Sequence, residues 1–335
     1  MATLSNSALT LADWAKRIDP GGKTPKIVEL LSQTNEILED MLWQEGNLPI
    51  GNQTTQRTGL PIAYWKLVNG GVPTSKSTTV QVVDQGGVLQ AWSEVDVTLA
   101  ELNGNERAFR MSEAEAFVEA MNIEMAQTLF YGNQSLAPQE FTGLSVRYSA
   151  IAGAPNASHV ISGGGAQSDN SSIWLIVWGK NKVTGFFPKG SKAGLSHIDY
   201  GKQVIDAAGT GFASDKMEVF QEKWEWKAGL AVEDWRYAVR VCNLDISNLV
   251  GNTTPADIIA LMIKAWHRIP SFANGKAAWY MNRTIKEYLD LQERDDVQAG
   301  GSLTYDVVDG KPVSSFRGIP VRTCDALLET EATVS

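Results

Sequence analysis

The 335-residue sequence has very little of several residue types on which function often depends. Its two cysteines, Cys242 and Cys324, exclude a disulfide framework and a paired-cysteine zinc site. Its three histidines, His159, His197 and His267, show neither His-x-x-x-His nor Glu-x-x-His spacing. The sequence therefore offers no metal ligands and no cofactor-binding residues.

Long apolar runs and excess positive charge are also missing. The longest apolar run, Ile173 to Trp178, is far too short to cross a bilayer. The first residues lack the basic and apolar regions of a signal peptide. A formal net charge of −9 argues against a nucleic-acid-binding surface, which is normally basic. These absences predict a protein without a membrane partner, made in a reducing compartment.

Motifs for catalysis are equally scarce. The sequence contains no phosphate-binding loop and no Gly-x-Gly-x-x-Gly after a strand. Ser191 lacks the Gly-x-Ser-x-Gly context of a nucleophile, and Ser168-Asp169-Asn170 lacks its Ser-x-x-Lys companion. Carboxylates close in sequence are usually solvated charges rather than acid–base pairs; they occur at Glu113/Glu115, Glu233/Asp234 and Asp295/Asp296. We therefore assign no catalytic residue.

One aromatic group leaves two interpretations open. Trp224, Trp226 and Trp235 could form a patch on which a ligand stacks. The commoner explanation is that such aromatic residues are buried in a β-hairpin.

A long helix is the clearest positive signal. Ser112 and Glu115 have the spacing of a capping box, which predicts a helix start. Apolar residues then recur at helical spacing along one face as far as Tyr131, and Gly132-Asn133 favours a stop. The apolar positions are Ala114, Phe117, Val118, Met121, Met125 and Leu129. The pattern predicts one long, one-faced helix.

A β-hairpin without a covering element is predicted ahead of that helix. Residues 92–99 alternate between apolar and polar side chains, and residues 60–68 form a plausible partner strand. Asn69-Gly70-Gly71 is a turn signal, and the tip at 72–87 has few large apolar residues. Because an isolated hairpin is unstable in water, it needs a surface to lie on. No other segment is assigned to that role, which points to another subunit.

The remaining pattern mixes strands and helices without regular alternation, so it predicts an α+β fold. Helices are expected from Thr24-Pro25 to about Glu45, from Thr254-Pro255 to Trp266, and from Arg283 to Gln292. Strands are expected at 172–177, 303–308 and 319–323, with a turn at Asp309-Gly310. Residues 185–190 are expected to be the end of a further strand and the loop after it. Residues 216–249 are interpreted as a hairpin with strands at 223–226 and 235–244.

Several short segments, taken in order, resemble a known family. Residues 107–113, 129–133 and 138–144 surround the long helix, and residues 177–179, 187–190 and 229–236 follow. Their sequences are RAFRMSE, LFYGN, PQEFTGL, VWG, FPKG and GLAVEDWR. Together they resemble the major capsid proteins of tailed bacteriophages, especially short-tailed ones, from about residue 105 to the C-terminus.

The resemblance implies the Hong Kong-type phage capsid fold. It places an N-terminal arm and helix at residues 1–46 and the extended hairpin called the E-loop at 47–100. The peripheral domain, with the long spine helix, covers 101–147 and returns at 300–335. The axial domain occupies 148–299.

The resemblance also implies a function. It predicts a non-enzymatic protein that forms hexamers and pentamers of an icosahedral shell around double-stranded phage DNA, without sequence-specific binding. The implied partners are a portal protein, a separate scaffolding protein and a cement or decoration protein, with assembly in the bacterial host cytoplasm and final location in the virion. Some relatives link subunits covalently through an E-loop lysine, and Lys76 is the one lysine at 72–87. Its two chemical partners cannot be placed, so non-covalent contacts are expected.

Two alternatives remain at this point. The second candidate is an encapsulin-like bacterial compartment protein, which would share the fold. The third is an enzyme of unknown class.

Overall fold

The computed structural model describes residues 33–102, 106–206, 216–251, 255–295, 303–308 and 311–335. The α-helices within these residues are α1 (Ile37–Asp40), α2 (Val97–Glu101), α3 (Glu106–Tyr131), α4 (Leu144–Arg147), α5 (Ile246–Gly251), α6 (Ile258–Trp266) and α7 (Arg283–Asp295), and Ala157–His159 and Trp235–Tyr237 are short 3-10 helices. The strands are β1 (Trp43–Glu45), β2 (Gly51–Gly59), β3 (Thr78–Gln85), β4 (Gly87–Asp96), β5 (Val160–Ser162), β6 (Asn170–Trp178), β7 (Val183–Phe187), β8 (Leu195–Asp206), β9 (Lys216–Val232), β10 (Ala238–Asp245), β11 (Lys276–Met281), β12 (Leu303–Val308), β13 (Lys311–Phe316) and β14 (Ile319–Thr323). The predicted α+β mixture is present.

The chain forms two compact units. The first contains Gln33 and the described parts of Val88–Met125 and Gly194–Lys227. The second contains the described parts of Thr34–Gly87, Ala126–Ala193 and Ala228–Ser335. Helix α3 and strand β9 contribute residues to both units. The domain boundaries expected from the sequence stay predictions.

Strand β6 is the centre of the second unit. It pairs antiparallel with β10 and β11, and Trp178 at its end pairs with Val183 of β7. All nine of its residues are buried. A strand covered on both faces needs apolar side chains on both, which explains why its sequence is a continuous run rather than an alternation. The prediction of a buried strand here is confirmed.

The two faces of β6 pack against different partners. Ile173, Leu175 and Val177 belong to a cluster completed by α6 and α7, including Met262 and Leu289. Trp174 on the opposite face contacts the rings of Phe130 and Tyr148. Burying a large apolar side chain contributes about 1.5–3 kcal/mol, so this layer supplies much of the unit's stability.

A buried ion pair joins four segments of the second unit. Arg240 on β10 donates from Nη2 to Glu331 Oε2 at 2.9 Å and from Nε to Ser172 Oγ at 3.1 Å. Tyr131, at the end of α3, donates its hydroxyl to Glu331 Oε1 at 2.5 Å. Burial and the nearby Glu331 carboxylate raise the pKa of Tyr131 well above its usual range. The phenol therefore stays protonated and able to donate.

The first unit places three strands beside the first part of the long helix. Strands β4 and β8 both pair with β9. Helix α2 is capped by Asp96, whose carboxylate accepts from the backbone of Thr98 and Leu99. A small cluster fills this unit, and it consists of Val95, Val97, Leu99, Ala100, Phe109 and Phe220.

The long helix exists, but its predicted start is wrong. Helix α3 begins at Glu106, six residues before Ser112, and ends at Tyr131 as predicted. Ser112 Oγ donates to the carbonyl of Phe109 at 2.8 Å, so it bonds within the helix instead of capping it. The predicted face is correct for Met121, Met125 and Leu129, which are buried, whereas Val118 is exposed.

The predicted first helix is wrong over its described final part. Residues 24–32 lie outside the described residues. Helix α1 ends at Asp40, and Trp43–Glu45 is strand β1, which pairs parallel with β7. Asp40 fixes this segment, because its buried carboxylate lies 2.5 Å from Lys276 Nζ and accepts from the Tyr280 hydroxyl at 3.0 Å. Tertiary contacts override the local helical pattern here.

The predicted hairpin at 216–249 is also wrong, although both of its strands exist. Strand β9 pairs with β7 and β8, and β10 pairs with β6 and β5. The antiparallel neighbour of β9 along the chain is β8, a strand that was not predicted from the sequence. Residues 227–230, expected between the strands, lie within β9.

The C-terminal elements agree closely with expectation. Helix α7 begins at Arg283, and β12 and β14 have the predicted positions. Helix α6 is capped by Asp257, whose Oδ1 accepts from the Ala260 N–H, rather than by Thr254, which lies outside the described residues. The turn at 309–310 also lies outside them, and β13 was not expected.

Candidate interaction surface

The predicted hairpin is present, but its strands are not those expected. Strand β2 pairs antiparallel with β3, from Gly51 opposite Gln85 to Gly59 opposite Thr78. Residues 60–68, predicted to be a strand, lie beyond the end of β2. The alternating segment from residue 92 is strand only as far as Asp96, and its partner is β9. The distal end of the hairpin is therefore residues 60–77, not 72–87.

The base of this hairpin is fastened to its own chain. Asp84 of β3 is buried, and its Oδ1 lies 2.7 Å from Nη1 of Arg147 on α4. Arg147 also donates to the carbonyls of Thr142 and Leu230. Gln56 of β2 donates to the Glu233 carbonyl at 3.0 Å. Because both strands are held, the base has a fixed place in the second unit.

The distal loop, residues 60–77, differs from the base because its large apolar side chains are exposed. Six of its large apolar side chains are at least 48 % exposed, and Trp65 is fully exposed. They are Leu60, Ile62, Tyr64, Trp65, Leu67 and Val68. Large apolar side chains exposed at this density within nine residues are uncommon on a monomeric soluble protein, so the loop is a candidate binding surface.

Two local contacts shape the distal loop. The Ser75 hydroxyl accepts from the Ile62 N–H at 3.0 Å and donates to the Ile62 carbonyl at 2.9 Å. The Gly70 N–H donates to the Leu67 carbonyl at 2.9 Å, and Asn69 has φ of 67°. The turn predicted at Asn69-Gly70 is confirmed, because Asn tolerates this left-handed conformation.

The hairpin differs in charge from the rest of the chain. Residues 46–83 contain no Asp or Glu and three cations, Arg57, Lys66 and Lys76. All three are exposed. Lys76 therefore shares the distal loop with Lys66, which the sequence-based boundaries left outside the tip. A basic, apolar loop on a chain of net charge −9 suits an acidic, apolar partner.

A groove of about 580 Å³ lies beside the hairpin in the second unit. Its walls include Arg57 and Leu60 on one side and Glu233, Trp235 and Arg236 on the other. Glu233 Oε1 accepts from Gln44 and Asn52 at 3.4 Å, and Asp234 is paired with Arg236 at 2.7 Å. The carboxylates of the Glu233/Asp234 pair thus have structural partners, and the groove extends the surface offered by the hairpin.

The first unit offers an exposed helix face of complementary character. Met111, Glu115 and Val118 follow one another at helical spacing on α3, and all three are exposed. Met111 and Val118 are apolar, and Glu115 supplies negative charge. This helix face therefore combines apolar surface with the negative charge that the distal loop lacks.

The histidines considered as ligands or catalysts have other partners. His159 is buried, with Nε2 3.1 Å from the Arg268 carbonyl and its ring edge-on to Trp235. Burial lowers the pKa of His159, which favours the neutral imidazole. His267 is exposed beside Trp266. Neither histidine lies in a constellation suited to catalysis.

His197 belongs to an ionic cluster in the first unit. Its Nε2 lies 3.0 Å from Glu222 Oε2, and Arg110 on α3 contacts both Glu222 at 2.5 Å and Asp199 at 2.6 Å. Burial acts to lower the pKa of Arg110, but hydrogen bonds and attraction from Asp199 and Glu222 outweigh it and raise that pKa. Each carboxylate here has a cation, so the cluster fastens β8 and β9 to α3.

The tryptophan patch does not form as a ligand platform. Trp224 is buried, with its ring stacked on Phe117 at 5.3 Å and on His197 at 5.1 Å. Trp235 belongs to the second unit and contacts His159. The commoner explanation, aromatics that pack within the protein, holds for Trp224.

The other weighed motifs also have structural roles. Asn170, from the Ser-Asp-Asn match, is a buried residue of β6 that pairs with Glu331. The Ser191 hydroxyl donates to the Pro188 carbonyl at 2.6 Å in a turn. Asp295 is the last residue of α7, and Asp296 lies outside the described residues.

Two kinds of feature are absent from the described part of the chain: a group of metal-ligating residues and a membrane-spanning helix. Among those residues, no group of three or more His, Cys, Asp or Glu could hold a metal ion. In the same residues, no helix is both long and apolar enough to span a bilayer. Both cysteines are free and buried, and burial raises the pKa of Cys242 to about 11 and that of Cys324 to about 12.

Comparisons with known proteins give a consistent result. The family model for the major capsid protein GP7 matches residues 19–335. A chain in the near-atomic structure of bacteriophage Epsilon15 is 29% identical, with a TM-score of 0.78, and the match covers 100% of this chain and 99% of that chain. No curated protein sequence matches.

More distant solved structures also resemble this chain. The capsid of the native GTA particle has 10% identity and a TM-score of 0.46, over 71% of this chain and 98% of that chain. The SrpI encapsulin of Synechococcus elongatus PCC 7942 has 11% identity and a TM-score of 0.44, over 71% and 97%. Such low similarity carries no functional argument, so the encapsulin alternative is not favoured.

Proposed function

The chain belongs to the GP7 family of major capsid proteins, and from that premise we propose that its copies assemble as hexamers and pentamers into a shell around double-stranded phage DNA. The Hong Kong-type capsid fold expected from the resemblance is confirmed by the match to the Epsilon15 chain. The protein is a structural component of a bacteriophage virion with an icosahedral shell. Its role in our proposal is structural, with no catalytic step.

The exposed distal loop is the observation that carries the assembly proposal. Covering a large apolar side chain contributes about 1.5–3 kcal/mol before the costs of association are subtracted. The loop presents six such side chains, while its base is held by Asp84 and Arg147. A fixed base and an uncovered apolar end suit a contact made between subunits.

We propose that a second copy of the chain covers the loop, at the α3 face formed by Met111, Glu115 and Val118. The hairpin carries Lys66 and Lys76 without any acidic residue nearby in sequence, and the helix face supplies both apolar surface and a carboxylate. Complementary charge directs and orients association more than it strengthens it. The apolar side chains would provide most of the affinity.

A contact between two different surfaces is heterologous, and repetition of it produces rings when the rotation closes. Hexamers and pentamers are two such rings made by one sequence. The hairpin can serve both if its distal loop accommodates small changes in angle while its base does not move. The predicted division into arm (1–46), E-loop (47–100), peripheral (101–147 and 300–335) and axial (148–299) regions belongs to this proposal.

The partners in assembly follow from the same proposal. They are a separate scaffolding protein, a portal protein and a cement or decoration protein, acting in the bacterial host cytoplasm. The net charge of −9 supports a shell that encloses DNA without binding it tightly. We expect the contacts between subunits to be non-covalent, so shells boiled in SDS should release monomers, and a ladder of larger bands would contradict this.

The deciding experiment removes apolar surface from the loop without touching the core. The double variant Trp65→Ser/Leu67→Ser should fold with an unchanged melting temperature, because both side chains are exposed. Shell yield, measured by electron microscopy and sedimentation of the expressed protein, should fall to near zero. The matched control is Leu136→Ser, which removes an equally exposed leucine outside the hairpin.

Two outcomes would count against the proposal. Wild-type shell yield from the double variant would show that the loop is not an assembly contact. Equal loss in Leu136→Ser would show that assembly is sensitive to any lost apolar surface. A charge test separates the two parts of the contact: Lys66→Gln/Lys76→Gln should slow assembly and reduce its dependence on salt.

A further inference from the structure

The turn at the end of the distal loop contains an Asn-Gly pair. Asn69 is exposed, and its φ of 67° places it in the left-handed region. Gly70 follows, and its N–H is held by the turn bond to the Leu67 carbonyl. A cation lies on each side along the chain, Lys66 and Lys76. No acidic residue lies between Gly46 and Val83.

Asn followed by Gly can modify itself. The deprotonated backbone nitrogen of Gly70 attacks Cγ of Asn69, a new C–N bond closes a five-membered succinimide, and the side-chain nitrogen leaves as ammonia. Water then adds to either carbonyl of the ring, which opens to aspartate or to isoaspartate. No oxidant or enzyme is required. Glycine favours the attack because it has no Cβ to hinder the approach.

We propose that Asn69 is a site of spontaneous deamidation in the unassembled subunit. The exposed loop end leaves the Asn69 side chain free of the packing that would fix it. The turn bond from Gly70 must open before attack, and it is an exposed backbone bond at a loop end, where local opening costs least.

A second Asn-Gly pair in the chain provides a built-in comparison. Asn274 also has positive φ, at 55°, and precedes Gly275. A Cβ placed on Gly275 would lie 2.7 Å from Val177 Cγ1 and 2.9 Å from the Trp178 carbonyl oxygen. Asn274 and Gly275 are both exposed, but a Cβ on Gly275 would press on β6 at under 3 Å, whereas the three atoms nearest to a Cβ on Gly70 all belong to Leu67, at 3.3–3.8 Å. Ring closure requires backbone movement, so packing should protect Asn274.

The consequence for assembly rests on the proposed function. Deamidation converts a neutral amide into a carboxylate, and the isoaspartate form also inserts an extra backbone carbon at the turn. Both changes fall on the basic, apolar loop that is proposed to meet an acidic helix face. Subunits that wait before assembly would thus lose competence, and assembled subunits would be protected by their neighbours.

The chemical test uses full-length, unassembled protein incubated in mildly acidic and mildly alkaline buffer. Peptide mapping by mass spectrometry should show conversion of the Asn69 peptide several-fold faster than that of the Asn274 peptide. The rate should rise with pH, because the attacking nitrogen must be deprotonated. Isoaspartate should accompany aspartate at position 69, which simple hydrolysis would not give.

Variants of the turn give the controls. Gly70→Ala should reduce the Asn69 rate to near background, because the added Cβ hinders attack and Gly70 does not have positive φ. Equal rates at Asn69 and Asn274, or an unchanged rate in Gly70→Ala, would overturn the proposal. A third pair, Asn103-Gly104, lies outside the described residues, and its peptide is quantified separately in the same mapping.

The effect of deamidation on assembly is measured in a separate experiment. Asn69→Asp should lower shell yield relative to Asn69→Gly, which keeps the left-handed turn and adds no charge. If deamidation occurs but both variants assemble equally, the modification stands and its proposed effect on the loop contact fails. If wild-type protein assembles without deamidation in the free subunit, the proposed function stands and this inference fails.

Discussion

The distal loop at 60–77 and the sheet around β6 treat similar side chains in opposite ways. Trp174 and Trp178 of β6 are buried, and even the charged pair Arg240–Glu331 is enclosed and fully hydrogen-bonded. Trp65 and Leu67 of the loop are exposed, and its lysines have open surroundings. The sheet buries its apolar side chains within one chain, whereas the loop leaves them exposed, as the proposed contact with a second copy requires. Burial, not composition, distinguishes the two regions.

The largest expected effect comes from breaking the buried ion pair between Arg240 and Glu331. Glu331→Ala leaves the Arg240 guanidinium buried without its carboxylate, which should cost about 3–5 kcal/mol. Denaturant unfolding of the subunit measures the free energy. Glu39→Ala is the matched control, since Glu39 is exposed and its loss should change stability by less than about 0.5 kcal/mol. Similar effects for both variants would mean that the enclosed pair is not a stabilising contact.

A smaller effect is expected where the hairpin meets the second unit. Arg147→Met removes the cation beside buried Asp84 and should destabilise the base by about 1–3 kcal/mol. Hydrogen exchange of the β2 and β3 amides should accelerate while that of β6 stays slow. Arg57→Met, which removes an exposed cation of the same hairpin, should leave the exchange unchanged. Faster exchange in both sheets would show that hairpin and core open together.

The smallest expected effect concerns pH. The buried His159 has a lowered pKa, caused first by burial, so the unfolded chain binds the proton more readily than the folded one. Stability is therefore complete above the ordinary histidine pKa of about 6.5 and falls as pH drops below it, by up to about 1.4 kcal/mol per pH unit. His159→Asn should flatten this slope in unfolding measured from neutral to mildly acidic pH. An identical slope in the variant would assign the effect to other groups.

Local signals in the sequence predicted local structure well. The end of α3 at Tyr131 and the buried strand β6 were readable from Gly132-Asn133 and from an unbroken apolar run. Both depend on neighbours along the chain. The predicted start of α3 was wrong because Ser112 and Glu115 lie inside the helix, which begins at Glu106.

Contacts between distant residues explain the remaining errors. The sequence indicated that a hairpin exists but paired the wrong strands, because strand pairing is decided by packing rather than by intrinsic preference. Arg240 and Glu331 carry no mutual signal in sequence, being 91 residues apart. The exposed distal loop was hidden for a related reason: its apolar residues resemble a core strand until the fold shows that nothing covers them. The family resemblance, carried by several short segments in order, reached the function that periodicity alone did not.

The position of Glu331 in the sequence has a consequence for synthesis. It is translated roughly 250 residues after the distal loop, a delay on the order of 10–50 s at bacterial elongation rates. Until then Arg240, Ser172 and Tyr131 lack the carboxylate that joins them. The distal loop is therefore synthesised long before the contacts around Arg240 can form. Arg240 thus stays without its buried partner until Glu331 is made, so the second unit completes these contacts only after the distal loop has been synthesised.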